Sequence, residues 1–505
     1  MKSKPRCVGE LDPLKHAPSS VRDEVRRNLI RKLHSGDPLF PGIIGFDDSV
    51  LPQVVNALLA RHDIIFLGLR GQAKTRLCRL LVNFLDDEVP AIEGSVLREH
   101  PLGPITSHCR ARARAEGPEL PIEWIPREAR YGEKLATPDV TMADLLGDID
   151  PLKAAHRKLD LGSEEVIHFG IIPRMNRGVF AVNELPDLAP RIQVGLLNIL
   201  EERDVQIRGF PVRIPLDVLM VFTANPEDYT NRGSIITPLK DRIASQILTH
   251  YPRTIEAARS ISDAQSWCNR GESAPRVEIP AFMLEILEQI AFRGRESEYV
   301  DQKSGVSARL PIAARELLVS QVERRVLRNP GAKPVPRIVD LCQVAAAVTG
   351  KVELVYEGEQ EGSIKVTRHL IGQACRAVFD QHFPDALREA PEEKHRNGPR
   401  TPRRQHEPRV QSARYKPILD WFAAGNRIDI SDDLDDEAYI AALEAIPGLL
   451  QVATEFLPGD ARESRAPVME LILEGLHQHS LLAKEDLIAR SAYSDMLGVM
   501  LEDLK

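Results

Sequence analysis

Lys74 and Thr75 are the first residues whose types and spacing suggest chemistry. They follow a glycine-bearing loop, Gly68, Leu69, Arg70, Gly71, Gln72 and Ala73. Ahead of the loop stands an apolar run, Ile64 to Leu67, of the kind a fully buried parallel strand needs. Behind it Leu77, Leu80, Leu81 and Phe84 recur at helical spacing. Strand, glycine loop, Lys-Thr and helix make the P-loop arrangement, in which backbone N–H groups and a helix N-terminus cradle phosphates. Lys74 would reach the β- and γ-phosphates, and the Thr75 hydroxyl would ligate Mg²⁺. Ala73 departs from the pattern, since a glycine belongs there; a methyl group is compatible with the loop if that residue's φ is negative.

A second candidate group closes the apolar strand Val179 to Val182, which ends at Asn183-Glu184. In a nucleotide hydrolase the strand beside the P-loop carries two acids, one holding a metal-bound water and one orienting the attacking water. Glu184 supplies the second acid, whereas Asn183 puts an amide where the first belongs. Its oxygen still accepts a hydrogen bond from a metal-bound water but lacks the charge that strengthens it. Metal binding would then rest on Thr75, Asn183 and the phosphates. A further buried strand, Val218 to Phe222, ends in Thr223-Ala224-Asn225-Pro226, where Asn225 reads equally as a turn former before proline.

The elements that must position these residues can be followed along the chain. An amphipathic helix starts near Ser19 or Ser20 and ends before Gly36, and a second begins at about Asp47 or Asp48. VPAIEG reads as a strand. Residues 99–136, rich in Pro, Arg and His, read as a long irregular insertion whose arginines form a solvated face. Pro190 opens one helix with Ile192, Leu196, Ile199 and Leu200 on its apolar face. DVQIRGFPVRI then reads as a β-hairpin turning at Gly209. Arg242 closes a short helix before SQILTHYP. Beyond Ile255 the pattern is helical, with Arg309 near a helix start, a strand-like VELVYEG, and a helix at about Val366 to Phe383. Residues 386–414 are basic and poor in large apolar groups, a linker composition, and the remainder reads as a helical unit.

Length and composition fit this plan. The 505 residues are 43% apolar and 28% charged with a net charge of −8, so two to four soluble domains are expected and a nucleic-acid-coating surface is not. No apolar run approaches a membrane span and none follows the basic N-terminus, so neither a span nor a secretory signal is expected. Six cysteines without a CxxC pair read as reduced thiols of a cytosolic protein. His100, His108 and Cys109 lack metal-ligand spacing.

Taken in order, these motifs resemble the AAA+ ATPases, in particular the branch of the magnesium-chelatase ATPase subunit and the MoxR proteins. The resemblance covers about residues 37–320, and its most specific part is GVFAVNELPDLAPRIQVGLLNILEERDVQIRGFPVRIP followed by VFTANPEDY. It implies an α/β P-loop domain with a parallel sheet and a hairpin before the sensor strand, then an all-α lid and a C-terminal helical unit. By position it implies that Gly68 to Thr75 form Walker A and that Asn183-Glu184 form Walker B. Asn225 would be the water-positioning sensor, Arg242 an arginine finger serving a neighbouring subunit, and Arg309 a second sensor on the lid. It also implies ATP with Mg²⁺, a ring oligomer (a hexamer), and a partner carrying a von Willebrand factor A domain. The GAFTGA loop of the activators of the alternative sigma factor is absent, which argues against that role. The expected domains are residues 1–36, 37–252, 253–385, a linker 386–414, and 415–505. The expected function is ATP hydrolysis to remodel or activate a partner protein, metal insertion being a narrower form. The rival is a nucleotide-binding switch or scaffold slowed by Asn183.

Overall fold

The computed structural model describes residues 4–150, 152, 156, 164–207, 213–226, 234–272, 274–329, 331–389, 409–411, 413–457, 462–487 and 490–496. The chain divides into two units, Met1–Tyr251 and Pro252–Lys505.

The described residues of the first unit hold eleven strands: β1 (Ile64–Leu67), β2 (Glu88–Ile92), β3 (Ile122–Pro126), β4 (Tyr131–Leu135), β5 (Gly147–Ile149), β6 (Ile167–Phe169), β7 (Gly178–Asn183), β8 (Asp204–Gln206), β9 (Arg213–Pro215), β10 (Val218–Ala224) and β11 (Ser245–Leu248). Five form one parallel sheet in the order β11-β1-β10-β7-β4. β10 lies at its centre with all seven residues buried. Alternate side chains enter two separate cores: Ile65, Phe180, Val182, Met220 and Phe222 on one face, and Ile64, Phe66, Val179, Leu219 and Val221 on the other. Both faces are covered, which is why these strands read as unbroken apolar runs. Register is reinforced just ahead of β1, where buried Asp63 accepts the Met220 N–H at 2.8 Å and pairs with Arg22 at 2.6 Å and Arg203 at 2.8 Å.

The first helix, Val21–Ser35, is capped by Ser20, whose side chain accepts the Asp23 N–H, and stops at Gly36 with φ 74°. The second, Val50–Leu59, begins later than expected. Residues 99–136 are not irregular. They hold the Ser107–Glu116 helix, β3 and β4, and β4 forms one edge of the main sheet. That helix buries only Cys109, and β4 is largely polar because an edge strand needs few apolar groups, so neither leaves a periodic signal. VPAIEG does supply a strand, but β2 pairs antiparallel with β3 outside the main sheet. The helix opened by Pro190 is broken at Leu196 into Pro190–Gly195 and Leu197–Glu201, with all four expected apolar residues buried. β8 and β9 pair antiparallel with Val205 opposite Ile214 immediately before β10, and the expected turn at Gly209 lies outside the described residues.

The second unit is mainly helical. The helices Ala281–Glu296, Arg309–Arg328, Ser363–His382 and Arg462–Gln478 contribute to one apolar core that runs from Phe282 to Tyr493. Residues 352–358 form no strand. They contribute an isolated bridge, Val300 to Leu354, and the start of the Tyr356–Glu361 helix, which begins at the polar end of the stretch. Two strands, β12 (Leu387–Glu389) and β13 (Arg409–Gln411), fall at the ends of the basic stretch, of which 390–408 and 412 lie outside the described residues. Within the last ninety residues β14 (Ile428–Ser431), β15 (Ala483–Leu487) and β16 (Arg490–Ser494) form an antiparallel sheet in the order β14-β16-β15, so this segment is not purely helical. The six cysteines form no disulfide among the described residues: Cys78, Cys109 and Cys375 are buried, while Cys7, Cys268 and Cys342 are partly exposed. Burial, with the nearby Glu133 charge second, raises the Cys78 thiol far above its ordinary range. No helix among the described residues is long and apolar enough to cross a membrane.

Candidate functional site

Parallel strands point their carboxyl ends the same way, and the register brings the ends of β1, β10 and β7 together: Leu67 lies opposite Ala224, and Phe222 opposite Val182. The loop leaving β1 is fixed at once, because the Gly68 N–H donates to the Ala224 carbonyl at 3.1 Å. A Cβ at Gly68 would lie 1.9 Å from Thr249 Oγ1, so only glycine fits there. Gly71 has φ 77° and Ala73 has φ 56°. Ala73 therefore occupies the left-handed region, and a negative φ is not how the loop accommodates its methyl group. Lys74 begins the Lys74–Leu80 helix, is buried, and donates through Nζ to the carbonyls of Gly68 and Leu69.

The loop is braced by residues that sequence reasoning missed. Thr249, one residue beyond β11, donates from Oγ1 to Gln72 Oε1 at 2.7 Å, and its N–H donates to the Leu67 carbonyl at 2.7 Å. Tyr251 Oη donates to the Arg70 carbonyl at 2.9 Å. Within SQILTHYP only the apolar residues carried a signal; polar residues just past a strand could have been flagged as facing the same edge as the loop.

Asn183 and Glu184 lie where β7 ends. Asn183 is buried, and its Oδ1 accepts hydrogen bonds from Thr75 Oγ1 at 3.4 Å and Thr223 Oγ1 at 3.3 Å. Glu184 turns sharply out of the strand with φ 55° and ψ 54°, and its N–H donates to Thr223 Oγ1 at 3.1 Å. Asn225 follows β10 immediately, and its Oδ1 is buried with no hydrogen-bond partner among the described residues. The buried Asn225 acceptor suits a water, while Lys74, the Thr75 hydroxyl and the loop of backbone amides suit a nucleotide phosphate with Mg²⁺. The residues named above would hold that group.

The other two candidates are on helices. Arg242 ends the Thr237–Arg242 helix, where its Nε donates to Glu201 Oε2 at 2.6 Å and a terminal nitrogen to the Pro238 carbonyl at 3.0 Å. Arg309 is the first residue of the Arg309–Arg328 helix, in the second unit. The structure thus groups Thr75, Asn183, Glu184 and Asn225 and leaves Arg242 outside that group. Among the described residues no set of three His, Cys, Asp or Glu side chains is placed to hold a metal. His100 is instead pushed down to about 4 by burial and then by the charge of Arg177, and its Nδ1 accepts the Leu102 N–H at 3.0 Å.

The first unit combines the sheet order β11-β1-β10-β7-β4 with the β8–β9 hairpin before β10, and the second unit is mainly helical. The fold is α/β, with the loop that follows β1 at the carboxyl end of a five-stranded parallel sheet. No family model matches the chain. The hydrogenase transcriptional regulatory protein HoxA of Cupriavidus necator is 26% identical over 168 residues, 30% of this chain and 35% of that protein. The chain thus spans about a third of the length of that curated relative. Among solved structures, BchI in the BchI–BchD complex of magnesium chelatase is 18% identical with a TM-score of 0.33, covering 64% of this chain and 98% of that one. NtrX from Brucella abortus in complex with ATP is 13% identical with a TM-score of 0.35, covering 72% and 63%. At such TM-scores these likenesses carry no functional argument.

Proposed function

We propose that the chain is a Mg²⁺-dependent ATPase of the AAA+ kind that remodels or activates a partner protein, in the manner of the chelatase and MoxR branch. One observation carries the reading: Thr75 Oγ1 stands 3.4 Å from Asn183 Oδ1 at the mouth of the P-loop, with Glu184 next in the chain. Bound ATP with Mg²⁺ supplies the phosphoanhydride bond and the charge that polarises it. The chain's own residues do the rest. Lys74, which donates to the carbonyls of Gly68 and Leu69, would hold phosphate oxygens, and Thr75 would offer an oxygen to the metal. Asn183 would accept a hydrogen bond on the metal side of the site, Glu184 would align the attacking water, and Asn225 would accept a hydrogen bond from that water. Arg242 would act on the nucleotide of a neighbouring subunit, which makes a ring the working form, and Arg309 would serve as the second sensor. A hexameric ring and a von Willebrand factor A partner belong to the same reading and rest on the sequence resemblance, while a cytosolic location rests on the cysteine pattern.

A second reading, a nucleotide-binding switch or scaffold with slow turnover, is favoured by the neutral Asn183 at the metal position. Both readings require ATP binding. Lys74→Ala is expected to weaken ATP binding at least about tenfold, or about 1.4 kcal/mol, by calorimetry. Unchanged affinity would sink both, and phosphate release by the parent chain separates them.

A further inference from the structure

Thr223 sits where three parts of the site meet. It is the sixth residue of β10 and buried, and its hydroxyl has two partners on the neighbouring strand's end. The Glu184 N–H donates to Thr223 Oγ1 at 3.1 Å, and Thr223 Oγ1 donates to Asn183 Oδ1 at 3.3 Å. Thr75 Oγ1 donates to the same Oδ1 at 3.4 Å. The result is one run of hydrogen bonds, from the Glu184 backbone through Thr223 and Asn183 to the P-loop threonine.

Two chemical needs converge on that hydroxyl. A carboxylate presents an acceptor oxygen whichever way it is turned, but an amide turned over presents N–H₂ instead, so Asn183 needs something to fix its orientation. Glu184 holds its backbone in the left-handed region, which a non-glycine residue keeps only when its surroundings impose it, and its N–H is tied to the same oxygen. We propose that Thr223 is a positioning residue for the nucleotide site: its hydroxyl sets the Asn183 amide with the oxygen toward Thr75 and locks the turn that aims Glu184. It is the element that lets an asparagine serve at the metal position. The inference rests on the nucleotide-binding reading above and assigns Thr223 no contact with nucleotide.

The test uses the full chain. Thr223→Val keeps the buried shape and removes the hydroxyl, while Thr223→Ser keeps the hydroxyl. The first readout is ATP binding by calorimetry across a Mg²⁺ series, which needs no turnover. Thr223→Val is expected to raise the Mg²⁺ concentration for half-maximal affinity about fivefold or more, with Mg²⁺-free affinity within about twofold of the parent, and Thr223→Ser to restore most of the loss. The second is a cycle with Asn183→Asp: because a carboxylate needs no turning, Thr223→Val should shift the Mg²⁺ dependence at least about threefold less in that background. Where the parent turns over, kcat should fall about tenfold or more in Thr223→Val with little change in KM. An unaltered Mg²⁺ dependence in soluble, folded Thr223→Val overturns the proposal. Equal shifts in the Asn183 and Asn183→Asp backgrounds overturn the role in orienting the amide. If the parent binds no ATP, the nucleotide reading itself fails and this inference falls with it.

Discussion

Ala73 holds a backbone conformation that its side chain resists. With φ 56° it takes the turn that glycine takes freely, at a cost of about 1–2 kcal/mol for an L-residue. Glycine returns part of that gain through its extra freedom in the unfolded chain. Ala73→Gly is therefore expected to stabilise the first unit by about 0.5–1 kcal/mol in urea unfolding without weakening ATP binding; a loss of stability would mean that the methyl group gains more from its neighbours than the turn costs. The sequence carried Lys74 and Thr75 plainly, because their meaning lies in order along the chain. The φ of Ala73 could not be read, since residue type alone does not fix it. Thr223, Thr249 and Tyr251 were equally hidden, because each acts through a strand register that pairs residues distant in sequence.

Strands buried on both faces announce themselves, and β1, β7 and β10 were legible as apolar runs for that reason. β4 and the Ser107–Glu116 helix did not, because elements that bury little carry no periodicity. Among helices, Ala281–Glu296 has a property that hydropathy patterns miss. Glu288 is buried in its apolar face, and burial raises its carboxyl from an ordinary 4.5 to about 7, against the opposing pull of Ser262, Arg295 and Arg315. The folded chain thus binds a proton that the unfolded chain releases. The stability this contributes is complete below about pH 4.5 and is lost as pH rises through about 7, a swing of at most about 3 kcal/mol. The thermal midpoint of the second unit should fall across that window, and Glu288→Gln should flatten the fall. An unchanged slope in Glu288→Gln would show that Glu288 ionises as freely folded as unfolded.

At the scale of the molecule, catalysis under the proposed function is divided between copies of the chain. Arg242 is engaged with Glu201 and Pro238 in its own unit. An arginine supplied in trans is worth on the order of 10³ or more in rate for related phosphoryl transfers. Mixing Arg242→Ala with Glu184→Gln chains should therefore recover phosphate release that neither variant shows alone, because some interfaces then carry both intact groups. No recovery at any ratio, with assembly verified, would place the whole site within one chain. The two-unit division itself was only partly legible: the change to helical pattern near Ile255 marked it, but the antiparallel sheet of β14, β15 and β16 did not show.

The placement of the six thiols also equips the chain as its own reporter. Maleimide dyes need an accessible sulfur, and the buried Cys78, Cys109 and Cys375 are closed to them in the folded protein. Cys7 in the first unit, with Cys268 and Cys342 in the second, remains open to labelling. After Cys342→Ser, one accessible sulfur is left in each unit. A donor and an acceptor fluorophore can then be attached without touching the P-loop or any residue assigned to it. The signal of each label then reports the unfolding of the unit that carries it.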